Sequence, residues 1–170
     1  MVQDNIRLIE GLEKAMRAEM EGYHFYKMAA QNTTDPAGKE AFNDLAEEEK
    51  DHFNFLKAHL EALNLSNKVA EGISLGMPKE FGGDHPIFSG EIRDRIGKAH
   101  HEMTALAIGI QLEKSAVDFY RIEAEAMTDP LAKDFYTDLM KWEQKHLAAF
   151  QREMENLQRD YWSEARFEPF

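Results

Sequence analysis

The chain has no cysteine, which excludes disulfide bridges, zinc ribbons, thiolate-held iron and a thiol nucleophile. It also lacks any run of about eighteen apolar residues, so nothing in it reads as a membrane span. Its first residues, MVQDNIRLIEGLEKAM, contain no apolar core of secretory type. From these features a soluble, cytoplasmic protein is expected. Basic residues are in short supply: 20 Lys plus Arg stand against 32 Asp plus Glu, for a net charge of -12. Such a balance argues against nucleic acid or an anionic membrane as partner. It is compatible with cation binding, but most acidic helical proteins simply carry solvated Glu-rich faces, so composition alone decides nothing about metals. At 170 residues, 43% of them hydrophobic and 31% charged, the chain fits one globular domain with a real core.

What the chain does contain is an internal repeat. It aligns with itself without gaps at an offset of 94, laying EMEGYHFYKMAAQNTTDP (residues 19 to 36) over EKSAVDFYRIEAEAMTDP (residues 113 to 130). The match continues as Asp44, Leu45, Glu49, His52, Glu61 and Leu63 fall on Asp138, Leu139, Glu143, His146, Glu155 and Leu157. Each copy reads as a helix, a tight Thr-Asp-Pro turn and a second helix. Asp35 and Asp129 can cap the free amides of the next helix, while Pro36 and Pro130 sit at the first helical position, where no donor is lost. Four helices are predicted, over 4–33, 35–64, 99–128 and 129–159.

Residues 65–98 join the copies and include GISLGMPKEFGGDHPIFSG, whose Gly and Pro content forbids a continuous helix, with a short helical turn expected over 89–95. This connection is far longer than neighbouring antiparallel helices need. A helix of about 28 residues is about 42 Å long, a distance the connection can span. The expected architecture is therefore all-α: a four-helix bundle over residues 1–159, made of two antiparallel hairpins, the second inverted, joined by one long crossover. The tail, DYWSEARFEPF (160–170), lacks helical period and is expected to dock on the bundle or on a neighbouring subunit.

Heptad steps give four inward stripes: Leu12, Met16, Glu19, Tyr23, Tyr26, Ala30; Phe42, Leu45, Glu49, His52, Leu56, Leu63; Leu106, Ile110, Glu113, Val117, Tyr120, Met127; and Phe135, Leu139, Glu143, His146, Phe150, Leu157. In LMKWEQKHLAAF (139–150), Trp142 belongs to the same stripe as Glu143 and His146. Every stripe is interrupted near its centre by Glu, and twice by His as well. Burying a carboxylate without a partner is among the costliest things a fold can do. No Lys or Arg stands in the stripes to offset four of them. Two divalent cations would bring four ionised carboxylates and two neutral imidazoles to zero charge. The i, i+3 spacing of Glu49 with His52 and of Glu143 with His146 puts oxygen and nitrogen donors on one helix face, the pairing used in di-iron and di-manganese carboxylate bundles. The candidate ligands are thus Glu19, Glu49, His52, Glu113, Glu143 and His146.

Glu21 and His24 also match Glu-x-x-His, but they lie about 200° and 140° around the helix from Glu19, so they are read as solvated. Tyr26 and Tyr120, each seven residues after a single Glu, return to the inward face. There they can hydrogen-bond a ligand carboxylate or serve as ordinary core tyrosines. His59, His85, His100 and His101 are assigned surface or packing roles. The charge reading selects Glu143→Leu as a change that stabilises the metal-free protein.

The strings EMEGYHFY, LAEEEKDHFNFL, IQLEKSAVDFY and KWEQKHLAAF resemble the ferritin-like di-iron superfamily, and most closely the rubrerythrin-like proteins. By that resemblance Glu19, Glu49 and His52 serve one half of a two-iron site and Glu113, Glu143 and His146 the other, with Glu49 and Glu143 bridging. Two departures are visible. Without cysteine the chain cannot carry the rubredoxin domain of rubrerythrins proper, and Ala116 stands where they have an additional carboxylate. The six-ligand set is closer to bacterioferritin-type ferroxidase centres. The resemblance implies two iron ions per chain, with Mn or Zn as substitutes. It further implies peroxide or dioxygen as oxidant, an external electron donor such as a rubredoxin-type protein, and a homodimer or higher homo-oligomer. The activities implied are di-iron oxidoreductase, ferroxidase for iron storage or delivery, and hydroxylase of an organic substrate.

Overall fold

Pro36 and Pro130 each open a helix directly after a capping aspartate, and they set the frame of the whole chain. The structure, a computed structural model, describes residues 2–76, 87–90 and 100–164. Four helices are present: α1 (Val2–Asn32), α2 (Pro36–Ser66), α3 (His100–Ala126) and α4 (Pro130–Glu164). Among the described residues there is no strand. Asp35, with extended backbone, accepts a hydrogen bond from the Gly38 amide at 2.9 Å. Asp129 accepts from the Leu131 and Ala132 amides at 2.8 and 3.2 Å. Both satisfy donors that the first helical turn leaves over. α2 stops at Asn67, whose left-handed backbone (φ 55°) returns its amide to the Leu63 carbonyl.

α4 continues through residues 160–164, past the expected end at 159. No Gly or Pro occurs between Leu131 and Glu168, so nothing in the sequence stops the helix there. Tyr161 and Trp162 lie exposed on this last turn, edge-to-face with each other. Residues 165–170, the rest of the expected docking tail, lie outside the described residues, as do 91–95 of the expected short turn; Gly90 itself is helical.

α1 lies along α2 and α3 along α4, forming the two hairpins, and α1 also packs on α3. Tyr26 meets Glu113 and Tyr120 meets Glu19, a crossed pairing possible only if α1 and α3 run antiparallel. The second hairpin is therefore inverted on the first, making an all-α four-helix bundle.

Buried apolar residues form two clusters. One contains Tyr26, Phe42, Leu45, Leu106, Phe150 and Leu157. The other contains Leu12, Leu56, Leu63, Tyr120, Tyr136 and Leu139. The offset of 94 carries each member of the first set onto, or back from, a member of the second, so the repeat in sequence becomes a pseudo-twofold in space. Each fully buried Leu or Phe contributes roughly 1.5–3 kcal/mol of burial free energy, which offsets the cost of the polar layer between the clusters. Met16, Tyr23, Ile110, Val117 and Met127 lie at the stripe edges and are only half-buried. The crossover touches both clusters: Val69 is buried with Leu8 and Leu63 at one end, Phe88 against Phe42 at the other.

Candidate metal centre

Between the two clusters the four helices bring together all six residues that the stripes singled out. Glu19, Glu49, Glu113 and Glu143 are 3%, 4%, 2% and 1% exposed, and His52 and His146 are fully buried. Both imidazoles turn Nδ1 inward. His52 Nδ1 lies 2.9 Å from Glu143 Oε1, 3.2 Å from Glu19 Oε2 and 3.7 Å from Glu49 Oε2. His146 Nδ1 lies 3.5 Å from Glu113 Oε2, 3.5 Å from Glu143 Oε2 and 3.8 Å from Glu49 Oε1. Glu49 and Glu143 thus each offer one oxygen to either imidazole, whereas Glu19 faces only His52 and Glu113 only His146.

Two overlapping donor sets result: Glu19, Glu49, His52 and Glu143, and Glu49, Glu113, Glu143 and His146, each with ligand atoms within 4.8 Å of one another. A nitrogen with several carboxylate oxygens, repeated twice and sharing two carboxylates, is a donor set suited to a pair of first-row divalent ions. The residues present therefore fit a two-metal group, with Glu49 and Glu143 common to both donor sets.

Tyr26 donates a hydrogen bond to Glu113 Oε1 and Tyr120 donates to Glu19 Oε1. The sequence left these phenols balanced between core and site; the structure gives them both duties, since each is also in an apolar cluster. Burial, followed by the neighbouring carboxylates, pushes both phenols well above their ordinary range. They remain neutral donors that orient the two unshared carboxylates.

The electrostatics of the protein alone differ from the sequence reading in one respect. Burial and the Glu143 charge push Glu49 well above the usual carboxylate range, and the same causes raise Glu113 to about 8. Burial opposes charge on His52, but Glu143 and the surrounding carboxylates outweigh it and hold the imidazole well above its ordinary value. His146 is raised likewise by Glu113, Glu143 and Glu48. Burial would raise Glu143 too, yet His52 and His146 hold it well below the carboxylate range. Protons thus supply the counter-charge that the stripes lack. Glu143 is the carboxylate that protonated imidazoles stabilise, so the expected gain from Glu143→Leu shifts to Glu113→Leu, which removes a group that already carries a proton.

A cavity of about 320 Å³ opens beside the cluster between α1 and α3, bounded by Lys14, Gly22, Leu112, Ala116 and Phe119. Gly22 and its repeat partner Ala116 keep this face low. A Cβ on Gly22 would stand 3.4 Å from the Glu49 side chain. Lys14 Nζ lies 4.9 Å above the Phe119 ring at the edge of the opening. Glu21 and His24 are exposed, as expected.

Three buried acidic residues escaped the sequence reading. Glu48 accepts a hydrogen bond from His146 Nε2 at 2.9 Å. Glu102 accepts from the Thr34 amide and hydroxyl at 3.0 and 2.9 Å, and Glu153 accepts from the Phe88 amide at 3.3 Å. His59 is buried with neither ring nitrogen hydrogen-bonded, between Phe55 and Phe135. His100 and His101 are exposed, and His85 lies outside the described residues.

A four-helix bundle whose centre gathers two single Glu and two Glu-x-x-His pairs is a ferritin-like carboxylate bundle. The Rubrerythrin family model matches residues 10–154, and the chain belongs to that family. No curated protein and no solved structure matched it. No described helix is long and apolar enough to cross a membrane.

Proposed function

We propose that this protein is a di-iron oxidoreductase of rubrerythrin type, reducing hydrogen peroxide or dioxygen with electrons from an external donor. The observation that carries this reading is the pair of shared carboxylates, Glu49 and Glu143, each placed between His52 and His146. In this reading Glu19 and His52 would hold one ion and Glu113 and His146 the other, with Glu49 and Glu143 available to both. Bound iron would supply a one-electron couple at each of two adjacent positions. The chain's own residues do the rest. Tyr26 and Tyr120 fix the unshared carboxylates, the apolar clusters keep bulk water from either side, and the opening at Gly22 and Ala116 admits a small oxidant. These 170 residues contain no cysteine with which to hold an electron-transfer iron, so in this reading the electrons reach the bundle from outside it, from a donor such as a rubredoxin-type protein. The protein works as a homodimer or higher homo-oligomer, and manganese or zinc can occupy the same donors.

One observation favours a second reading. Ala116 contributes no carboxylate to the cavity beside Glu113, which suits a ferroxidase that oxidises Fe(II) for storage or delivery. Anaerobic loading with Fe(II), followed by peroxide or dioxygen, tests both readings through the ferric charge-transfer absorbance. Faster bleaching of Fe(II) by peroxide, with iron staying at two per chain, supports the oxidoreductase. Accumulation well beyond two per chain supports the ferroxidase. No absorbance change with either oxidant overturns both.

A further inference from the structure

The repeat makes the six candidate ligands equivalent in pairs, and it fails immediately behind the imidazoles. The offset of 94 that carries His52 onto His146 carries Glu48 onto Trp142. α2 and α4 run antiparallel here, so each imidazole is backed by the residue just before the Glu of the opposite helix. Behind His146 that residue is Glu48, whose Oε2 lies 2.9 Å from Nε2, the pair being 5% and 0% exposed. A carboxylate can only accept from Nε2, so Nε2 carries the proton, leaving Nδ1 as the inward donor atom. Behind His52 the residue is Trp142, with ring centroids 5.1 Å apart and planes at 90°. His52 Nε2 has no hydrogen-bond partner among the described residues.

The two backings have different chemistry. A carboxylate accepting from the outer nitrogen of a ligating imidazole fixes its tautomer and ring orientation and makes the inner nitrogen a stronger donor. An indole at right angles offers at most a weak N–H to π contact. Glu48 also places a further carboxyl group behind His146 and none behind His52, and its Oε1 has no hydrogen-bond partner among the described residues. The metal position nearest Glu48 is therefore the one at His146.

We infer that the two metal positions are unequal, and that Glu48 is the positioning residue that makes them so. Resting on the metal-centre reading above, the inference is that the Glu113–His146 position takes a divalent cation first. The Glu19–His52 position fills second and is the exchangeable one. A bridged pair that loads in a fixed order keeps one ion in place while the other is lost and replaced.

The test is a Zn(II) titration of the metal-free full-length protein, followed by calorimetry and by NMR of the histidine rings. Two successive events are expected, their dissociation constants about 10–100-fold apart, the loss typical of removing an outer carboxylate partner. His146 ring signals should move to their bound positions before those of His52. Glu48→Leu should weaken the first event by about the same factor and merge the two, with Trp142→Phe leaving both steps in place. Glu48→Gln keeps an acceptor without its charge and should fall between, which gives a reading if Glu48→Leu folds poorly. Equal binding in the unmodified protein, earlier movement of His52, or two unchanged steps in Glu48→Gln and Glu48→Leu would overturn the inference while leaving the metal centre intact. No Zn(II) binding at all would overturn the metal centre as well.

Discussion

The two hairpins carry the same ligands at the same spacing, yet their turns are built differently. In the first, Asp35 is 1% exposed. Besides capping Gly38 it accepts hydrogen bonds from the Ser89 amide, at 3.1 Å, and hydroxyl. Phe88 fills the space above Gly38, where a Cβ would stand 2.3 Å from the ring, and Glu102 of α3 ties down Thr34. In the second hairpin Asp129 is exposed, accepts among the described residues only from amides of its own helix, and is followed three residues on by Ala132 instead of Gly. The middle of each hairpin is held alike by the demands of a shared charge cluster. The ends are free to diverge, and the first has become the landing site of the crossover.

The largest expected effects separate shared from private ligands. Glu143→Ala removes a group that faces both imidazoles and should weaken metal binding at both positions by more than about 100-fold, beyond the loss from an outer partner. Glu113→Ala or Glu19→Ala should each abolish one of two binding events. Equilibrium dialysis of the three variants with Zn(II) checks the difference. If Glu143→Ala loses only one ion, that carboxylate is not shared.

Next in size is a pH effect specific to the metal-free protein. Glu113 titrates near 8 when folded, against 4.5 for a free side chain. Folded protein therefore holds a proton that the unfolded chain releases, and the Glu113 contribution to stability is full below about pH 4.5 and lost as pH rises towards 8. Glu49, His52 and His146, all raised, act in the same sense. The metal-free Tm should fall by at least about 5 °C between pH 6 and 8.5. Divalent ions should displace the protons and remove the slope. Calorimetry with and without Zn(II), in buffers of differing ionisation heat, measures both the slope and the protons released. A flat profile without metal would contradict this charge account.

A smaller effect tests the unlike turns. Gly38→Ala drives a methyl group into Phe88 and should cost about 2 kcal/mol, whereas Ala132→Gly in the second turn should cost about 1 kcal/mol through helix propensity alone. Urea unfolding of the metal-free variants gives both values. Equal costs would mean that Phe88 does not bear on Gly38.

The smallest effect concerns another broken pair, since the offset carries His59 onto Glu153. Burial lowers His59 to about 4, from 6.5 for a free imidazole. The stability this provides is complete above about pH 6.5 and is lost as pH falls towards 4. His59→Phe keeps the stacking between Phe55 and Phe135 and removes the titration. It should be about 1 kcal/mol more stable relative to the unmodified protein at pH 5 than at pH 7.5. Denaturant midpoints at the two pH values show whether the gap exists.

Most of the bundle was legible because it is written as period: the three-four stripes located the inward faces, and the Asp-Pro turns located the helix starts. The six central residues were legible for the same reason, as polar interruptions repeated at an offset of 94. Glu48 was not, because it lies beside Glu47 and Glu49 in an acidic run, and only the approach of His146 from another helix sets it apart. The signal available was the mismatch of Glu48 with Trp142 when the copies are superposed. Glu102 and Glu153 were hidden similarly, since their partners are backbone or turn groups at least 65 residues away. The end of α4 was missed because aromatic residues at 161 and 162 disturb the apolar period without breaking the backbone.

The most direct test of the central claim is anomalous X-ray diffraction at the iron edge from crystals of protein loaded anaerobically with Fe(II). The account predicts two peaks per chain, about 3.5–4 Å apart, lying between Glu49 and Glu143 with one beside each imidazole Nδ1. An iron-loaded crystal with no peak among these six side chains would contradict it.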